Sequence, residues 1–407
     1  MKKYNKVTPE GTKDLLLEEC LIHREIERRL GEVFSSRGFH EVVTPGLEFM
    51  DVFEPEVSGI SPEVMYKTTD RRGRLIAMRP DSTMPIARLA ATRLQNQEKP
   101  IRLYYTQRIY RSNPNLTGRS DEVLQSGVEL LGAAGKRADL EAIATAVEAL
   151  SRCLPDFRLE LGHAGFFRAI AAQLPISPEE REKIRSTIES KNYAALNTML
   201  DALEQTPSVT AMRRLPRLFG GEEVFAQAAP LCGSSQAEEM LGYLHDLYGS
   251  LVKLGLGDRL MVDLGLVQRN DYYTGVVFSA YAEDCGDAVL LGGRYDNLLS
   301  CFDMPMPAIG FSVNVDAVAK LLGERGFTPP LPRPEVLIFG EDGYEMKALL
   351  FASGITGQGG SCETSVFSTE EETMDFARRR GIPRVAVVGE HVREIRLSPK
   401  NEEGGEA

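Results

Sequence analysis

The chain has 407 residues, of which 43% are hydrophobic and 26% charged, a composition typical of a globular protein with two or three domains. Its 47 Lys and Arg residues against 59 Asp and Glu residues give a net charge of −12, which disfavours nucleic acid as a partner, although a local basic patch is still allowed. The six cysteines include no CxxC pair, so neither a disulfide framework nor a zinc site is expected, and a reducing cytoplasm is favoured. The N-terminus lacks the apolar run of a signal peptide and no segment is long enough to span a membrane, so we expect a soluble cytoplasmic protein without a membrane partner.

The first hundred residues predict a helix, a strand and a hairpin. Apolar residues recur at helical spacing over residues 15–35, and Gly38 is placed to end that helix. The segment FHEVVTP is predicted to be a strand that ends at Pro45, because proline cannot donate a hydrogen bond to a neighbouring strand. The segment RRGRLIAMRPDST predicts a hairpin that leads into a short helix, with Ser82 or Thr83 as the N-terminal cap.

The middle of the chain predicts a long hairpin and a helical insertion. Residues 101–111 alternate apolar and polar side chains, and residues 123–132 form a second strand pattern beyond a polar loop, so the two predict an antiparallel hairpin with an exposed tip. A helical pattern over 138–154 and a strand pattern over 157–165 follow. From about 175 to 256 the amphipathic patterns contain little strand signal, which indicates a helical insertion.

Beyond the insertion the patterns predict the end of the core and a second domain. Strands are expected in RLMVDLG, YYTGVVFSAYA and AIGFSVNV, and a helix in DAVAKLLGE. The proline-rich residues 328–334 are typical of a linker, residues 335–399 predict a small truncated α/β domain, and the Gly/Glu-rich tail 400–407 is expected to be disordered. The class is therefore α+β: an antiparallel sheet flanked by helices over residues 1–327, carrying the insertion, and a small C-terminal α/β domain.

Polar residues cluster on the second strand of the hairpin. Gln125, Gly127 and Glu129 alternate along the chain, so their side chains point to one face of the sheet. The amide of Gln125, the absent side chain of Gly127 and the carboxylate of Glu129 suit a ligand with an amino group, because buried carboxylates persist only when paired or hydrogen-bonded. The alternative interpretation is a solvent-facing polar strand.

Two short segments near residues 272 and 293 carry further polar and aromatic groups. DYYTG offers two phenolic hydroxyls, which fit either a ligand site or an aromatic pair in the core. GGRYD fits either a loop that closely follows a ligand or, as is more common for a glycine pair, a tight turn. Neither segment decides the function by itself.

Five segments taken in order resemble histidyl-tRNA synthetase and its paralogues over about residues 5–325. RGFHEVVTPGLE is similar to the first class II motif, whose proline, here Pro45, lies at the dimer interface. The hairpin residues 111–129 resemble the second motif, with Arg111 at the position of its ATP-phosphate arginine. DYYTG and GGRYD are similar to the two signatures that make the pocket specific for histidine, and AIGFSVNVDAV resembles the third motif. Five matches in order imply the class II aminoacyl-tRNA synthetase fold and a homodimer.

The resemblance also implies a set of residues around bound histidine. Asp81 stands where the family places a carboxylate for the amino group, and Gln125 and Glu129 match residues around the amino group and the imidazole. Tyrosine hydroxyls and a carboxylate suit an imidazole, which needs a donor and an acceptor partner. Neither a metal nor a cofactor is expected. The implied histidine-binding residues are Asp81, Thr83, Arg111, Gln125, Glu129, Tyr272, Tyr273 and Tyr295.

Four positions depart from the synthetase pattern where the ATP chemistry takes place. Asn113 replaces a carboxylate that helps to hold the adenine amino group, and Asp121 stands where the enzymes tend to carry arginine. Gln268 replaces an arginine that stabilises charge during adenylation, with Arg269 displaced by one residue, and Ala317 replaces an ATP-binding arginine. Because adenylation depends on cationic stabilisation of phosphate charge, the sequence predicts a protein that has kept the histidine pocket and lost the catalysis.

This combination resembles a non-catalytic paralogue family, the regulatory subunits of ATP phosphoribosyltransferase. The resemblance implies a hetero-octamer with four short-form catalytic subunits, which carry out the first step of histidine biosynthesis, and feedback inhibition by free histidine. No tRNA partner is expected. Two alternatives remain: a divergent histidine–tRNA ligase, which predicts histidine-dependent ATP–pyrophosphate exchange, and a synthetase-derived nucleic-acid-binding module, which predicts salt-dependent tRNA affinity.

Overall fold

A computed structural model describes residues 4–54, 58–113, 120–266 and 272–397. The chain divides into two compact units, Met1–Thr328 and Pro329–Ala407, and the division falls at the proline-rich segment that the sequence predicts to be a linker. None of the helices in the described ranges combines the length and the hydropathy that crossing a membrane requires.

The first unit is built on a large sheet to which nine strands contribute in the described part of the chain. The strands are β1 (His40–Glu41), β5 (Ile101–Tyr110), β6 (Glu122–Leu131), β7 (Arg158–His163), β8 (Phe219–Gly220), β9 (Leu260–Asp263), β10 (Val276–Tyr281), β11 (Leu290–Arg294) and β12 (Ala308–Asn314). Their order is β1-β5-β6-β12-β11-β10-β7-β9-β8, and the pairings are antiparallel except β1 with β5 and β7 with β9. A small antiparallel sheet in the order β2-β4-β3 stands apart from it, formed by β2 (Leu47–Phe49), β3 (Lys67–Thr69) and β4 (Leu75–Met78).

Helices cover one face of the large sheet with an apolar core. Among the described residues of the first unit, the α-helices outside the insertion are α1 (Glu18–Ser36), α2 (Thr83–Arg93), α3 (Lys136–Cys153), α4 (Ala164–Ala171) and α10 (Val315–Glu324). Leu124, Val128 and Leu130 alternate along β6 and are buried in the core cluster that also contains the inward residues of α1, α3 and α10. The intervening residues of β6 point to the opposite face, where the polar candidates lie.

The insertion is helical and is bounded by well-formed caps. Its helices are α5 (Pro178–Glu189), α6 (Tyr193–Asp201), α7 (Pro207–Arg214), α8 (Glu223–Ala228) and α9 (Ser235–Leu251). Ser177 and Glu180 form a reciprocal capping box at the start of α5, which satisfies backbone N–H groups that a helix end leaves unpaired. The two-residue strand β8 is the strand that the structure adds within this otherwise helical segment.

The second unit is a small α/β layer. Its sheet, in the order β14-β13-β15-β16, is formed by β13 (Val336–Gly340), β14 (Cys362–Thr364), β15 (Arg384–Val388) and β16 (Val392–Arg396). The helices α11 (Glu345–Gly357) and α12 (Glu370–Arg380) contribute to two separate clusters. Ala348 belongs to one cluster and Ala377 to the other, while neighbouring residues of β13 alternate between them, so the two helices cover opposite faces of the sheet.

The structure confirms the α+β class and the long β5–β6 hairpin, and it corrects several elements. The first helix begins at Glu18 rather than Leu15 and ends at Ser36, where Gly38 adopts the expected left-handed conformation (φ 78°). The strand predicted over FHEVVTP is reduced to the two residues of β1. The strand pairing does not continue to Thr44, because the backbone N–H of Thr44 donates to the side-chain oxygen Oε1 of Gln107 at 3.2 Å. The hydroxyl of Thr44 donates to the same oxygen, also at 3.2 Å. The exposed hairpin tip and the disordered tail are predictions that lie largely outside the described residues.

Two further corrections concern the candidate site. The predicted caps of α2 are wrong: Ser82 makes no capping hydrogen bond, and the carboxylate of Asp81 accepts the backbone N–H of Met84 at 3.0 Å. The glycine pair of GGRYD is not a tight turn, because Gly292 and Gly293 lie within strand β11, between β10 and β12.

Candidate functional site

A buried carboxylate on β6 is the centre of the candidate site. Glu129 is 2% exposed, and its two oxygens accept hydrogen bonds from different parts of the chain. Thr83, the first residue of α2, donates to Oε1 at 2.8 Å, and the hydroxyl of Tyr295 donates to Oε2. Burial raises the pKa of Glu129 to about 8 although both hydrogen bonds oppose the rise. The carboxyl group is therefore neutral in much of the unliganded protein at neutral pH, and a cationic ligand would favour its ionised form.

The floor of this site consists of backbone. Gly293 on β11 pairs with Gly310 on β12, and Gly310 in turn pairs with Glu129 on β6. Gly127 precedes Glu129 by two residues and therefore lies on the same face of the sheet. A Cβ atom at Gly310 would overlap a carboxylate oxygen of Glu129, one at Gly293 would lie 2.6 Å from the ring of Tyr273, and one at Gly127 would overlap the carbonyl oxygen of Phe311. Glycine is required at these positions by close approach of neighbouring groups, not by an unusual turn.

Tyrosine rings form the wall of the site. The rings of Tyr272 and Tyr273 are 4.8 Å apart, and those of Tyr272 and Tyr295 are 5.7 Å apart with an edge-to-face geometry. All three residues are at most 7% exposed, and Tyr105 on β5 is buried with them in one cluster. Burial raises the pKa of Tyr272, Tyr295 and Tyr105 well above 10, so these phenols remain protonated and can donate hydrogen bonds.

Asp81 and Arg111 lie at the edge of the cluster and already have protein partners. Besides capping α2, Asp81 places its other oxygen 3.6 Å from the guanidinium of Arg111. Arg111 also donates to the carbonyl of Pro80 at 2.6 Å. Burial raises the pKa of Asp81, and Arg111 opposes that rise. A second buried carboxyl therefore stands near Glu129 and adds to the preference of the site for a cation.

Of the eight predicted residues, the structure brings seven into this region and separates one. Thr83, Glu129, Tyr272 and Tyr295 are linked by hydrogen bonds or ring contacts. Gln125 points to the same face of β6 but lies four residues from Glu129 toward the hairpin tip, which is about 13 Å at the rise of a strand. Gln125 therefore extends the site rather than lining its centre.

A buried ionic network next to the site was not predicted. Arg294, which precedes Tyr295, donates to Asp139 of α3 at 2.7 Å and to Asp296 at 2.9 Å. Tyr243 of the insertion helix α9 donates to the second oxygen of Asp139. The backbone oxygen of Arg294 accepts the N–H of Thr274 at 2.7 Å, so the network also fixes the end of the tyrosine segment. Arg294 on strand β11 and Asp139 on helix α3 are 155 residues apart, so no local sequence pattern predicts their contact.

Arg168 supports the same segment from α4. It donates to the carbonyl oxygen of Tyr273 at 2.7 Å, which holds the backbone beside the tyrosine pair. Sequence analysis missed this contact because helix α4 and the tyrosine segment are separated by the whole insertion.

The positions that depart from the synthetase pattern have structural partners in this chain. The side-chain amide of Asn113 donates to the carbonyl of Arg111 at 3.0 Å, and its backbone N–H donates to Asp121, also at 3.0 Å. Asp121 in addition accepts a hydrogen bond from the hydroxyl of Tyr66 at 2.5 Å. Ala317 lies in the first turn of α10, where its N–H is capped by Asn314 at 3.0 Å. Gln268 and Arg269 lie outside the described residues.

The region around Pro45 exposes apolar side chains. Pro45 itself is exposed, between the short strands β1 and β2. Val43, Leu47 and Leu75 are 73%, 51% and 50% exposed, and the latter two belong to the small sheet. An apolar surface of this kind commonly marks a protein interface.

Comparisons with known proteins identify the family to which this chain is similar. The family model described as histidyl-tRNA synthetase matches residues 11–318. An ATP phosphoribosyltransferase regulatory subunit of Clostridium botulinum is 37% identical over 386 residues, which cover 94% of this chain and 92% of that protein. The regulatory subunit of Bacillus mycoides is 35% identical, with 95% of this chain and 92% of that protein covered.

Solved structures give the same result for the fold. A protein of Bacillus halodurans, described as an ATP phosphoribosyltransferase regulatory subunit/histidyl-tRNA synthetase, matches with a TM-score of 0.80 and 28% identity, covering 92% of this chain and 97% of that one. Histidyl-tRNA synthetase from Nostoc matches with a TM-score of 0.75 and 19% identity over 97% of each chain, a likeness of fold alone. This chain belongs to the family of ATP phosphoribosyltransferase regulatory subunits, which has the histidyl-tRNA synthetase fold.

Proposed function

We propose that this chain is the non-catalytic regulatory subunit of an ATP phosphoribosyltransferase, whose short catalytic partner carries out the first step of histidine biosynthesis. The relatives at 35–38% identity carry the name of that subunit, and this is the observation on which the proposal rests. The absence of adenylation chemistry is supported by Asn113, whose side-chain amide bonds the hairpin backbone, and by Ala317, whose side chain carries no cation.

We propose that the site around Glu129 binds free histidine as the feedback effector. Glu129 and Asp81 are two buried carboxyls, and either would form a charge-assisted hydrogen bond with an ammonium or imidazolium group. The phenols of Tyr272 and Tyr295 can donate to the remaining ring nitrogen or to the ligand carboxylate. Arg111 lies 3.6 Å from Asp81, where a ligand carboxylate could compete for its guanidinium. The arrangement thus offers complementary groups to each polar part of histidine.

Histidine would act by binding one state of the complex more tightly than another. We propose a hetero-octamer of four regulatory and four catalytic chains, in which the regulatory chains form homodimers through the apolar surface near Pro45. The free state of the six cysteines agrees with a cytoplasmic location. No tRNA partner is proposed.

The test is to mix the chain with a short-form catalytic subunit and to measure phosphoribosyl transfer with and without histidine. We expect activation by the chain, inhibition by histidine, and loss of that inhibition with Glu129→Ala. Absence of activation would contradict the assignment as a regulatory subunit. Inhibition that is unchanged in the variant would place the histidine site elsewhere, and histidine-dependent ATP–pyrophosphate exchange at enzyme-like rates would instead indicate a ligase.

A further inference from the structure

The outward face of helix α11 in the second unit is apolar and exposed. Met346, Leu349 and Leu350 are 71%, 49% and 70% exposed, although they belong to a regular 13-residue helix. The inward face of α11 packs on the sheet through Ala348, with Phe351 and other partly buried residues beside it. The helix is therefore apolar on both sides, a pattern expected of a helix that lies between two partners.

The other helix of the unit shows what a solvent-facing surface looks like in this chain. The exposed positions of α12 include Glu371, Glu372 and Asp375, and its last turn exposes the arginines 378–380. In contrast, no charged residue occurs from Ala348 to Cys362. Two helices of one small unit therefore differ in charge on their outward faces, and exposure to water accounts only for α12.

Glycines in the second half of α11 have no explanation within the unit. Gly354 lies inside the helix, where glycine is less favourable than alanine, and Gly357 ends it. A Cβ atom built at either position meets nothing within 4 Å, so the fold of this unit does not require glycine there. A helix surface without side chains allows another backbone to approach closely.

The large and small residues of this face are arranged so that the helix is complementary to itself. The face comprises Met346, Leu349, Leu350, Ser353, Gly354 and Gly357, which are spaced as one helical stripe. In an antiparallel pair of α11 helices related by a twofold axis, Met346 faces Gly357, Leu349 faces Gly354 and Leu350 faces Ser353 of the other copy. Each large side chain meets a small one, and each small one meets a large one, as an isologous interface requires.

The charges at the ends of the helix are compatible with this pairing. Glu345 would face Gln358 and Lys347 would face Thr356 of the other copy, so no like charges oppose one another. Lys347 is also occupied within its own chain, where its ammonium donates to the carbonyl of Gly389 at 2.9 Å. A 13-residue helix is about 20 Å long, so one helix pair is smaller than a standard stable interface of roughly 800 Å² per partner.

We propose that the outward face of α11 binds the same face of a second copy of this chain as an antiparallel helix pair. Because the contact is small, it strengthens an assembly in which other contacts already raise the local concentration of the two units. The pairing assigns to the second unit a role in joining copies of the chain, separate from ligand binding in the first unit.

The experiment is disulfide cross-linking of the full chain with Leu349→Cys and Gly354→Cys introduced together, since these positions face each other across the proposed pair. We expect most of this double variant to run as a covalent dimer under mild oxidation at low micromolar concentration. The matched control carries Val366→Cys and Glu371→Cys, two exposed positions of the same unit outside the face. It should give at least tenfold less dimer, as should the unmodified chain. Equal yields from test and control variants would overturn the proposal.

Two further variants separate pairing from folding. Adding Leu350→Lys to the double-cysteine variant should reduce the covalent dimer to the control level while the chain keeps its helical content. Gly354→Ala in the otherwise unmodified full chain should raise the temperature at which α11 unfolds, because alanine favours the helix, and should weaken self-association, because its methyl group fills the gap. Cross-linking that survives Leu350→Lys would contradict the proposal. Protection of α11 from hydrogen exchange only when a catalytic subunit is added would assign the face to that partner and would also contradict the proposal.

Discussion

Glu129 and Asn113 lie on the same hairpin, but the polar side chains around them have different hydrogen-bond partners. Around Glu129, buried groups are joined to one another by two hydrogen bonds to a single carboxyl, and tyrosine rings surround it. Around Asn113, the side chains bond to the backbone of the hairpin itself, as Asn113 does to the carbonyl of Arg111. The first arrangement retains groups whose protonation and partners can change with a ligand. The second uses positions that depart from the synthetase pattern as contacts that hold the hairpin together.

The variant with the largest expected effect on the difference between these two regions removes the central carboxyl. Glu129→Ala should weaken histidine binding by about 100-fold or more, because a buried charge-assisted hydrogen bond is lost and the hydroxyls of Thr83 and Tyr295 lose their acceptor. Isothermal titration calorimetry with the purified chain measures the affinity. The matched control is Glu160→Ala, a partly buried carboxyl four strands away in the same sheet, which should change the affinity less than threefold. Similar losses in both variants would show that the pocket is not at Glu129.

The pH dependence of stability tests the same carboxyl without ligand. The pKa of Glu129 is raised in the folded protein to about 8 from 4.5, so its contribution to stability is fully present below pH 4.5 and is lost as the pH rises toward 8. Denaturant unfolding of wild type and Glu129→Gln across this window should show wild type losing up to about 1.4 kcal/mol per pH unit relative to the variant. Parallel stability curves for the two proteins would mean that Glu129 is ionised in the unliganded pocket.

The network behind the pocket should have an intermediate effect. Tyr243→Phe removes a hydrogen bond to the fully buried carboxylate of Asp139, and we expect a loss of about 1–2 kcal/mol of stability and a three- to tenfold weaker affinity for histidine. The loss of affinity follows because Asp139 positions Arg294, whose backbone holds Thr274. Tyr248→Phe on the same helix is the control and should leave the affinity unchanged. A loss of stability without a change in affinity would limit the network to a structural role.

The smallest effect is expected at a position that departs from the synthetase pattern. Asn113→Glu restores the carboxylate of the synthetase pattern, and it should change histidine affinity less than twofold while producing no ATP–pyrophosphate exchange. Ala317 and Gln268 remain unlike the synthetase pattern, in which both positions carry arginines that stabilise phosphate charge. Exchange activity in the single variant would show that the nucleotide site is far less eroded than the comparison implies.

Periodicity predicted the β5–β6 hairpin and the helices between residues 175 and 256, and strand alternation fixes which side of β6 carries Glu129. Local propensity failed at one element because of a distant group and at another because a neighbouring residue supplied the cap. Strand β1 is cut short because Gln107 bonds Thr44, and α2 is capped by Asp81 rather than by Ser82. The Arg294–Asp139 pair could not be predicted, since its two residues meet only after the sheet has formed. GGRYD was misassigned because glycine pairs favour turns, whereas here they allow close packing between strands.

The glycine floor limits how the specificity of the proposed histidine site can change over time. Gly127, Gly293 and Gly310 already have the smallest side chain, so no substitution there can make the pocket deeper. Every substitution at these positions fills space that neighbouring atoms occupy. A larger or differently shaped effector can therefore be accommodated only through the walls, at residues such as Thr83 or Tyr295, and those are the positions at which related chains with another ligand should differ.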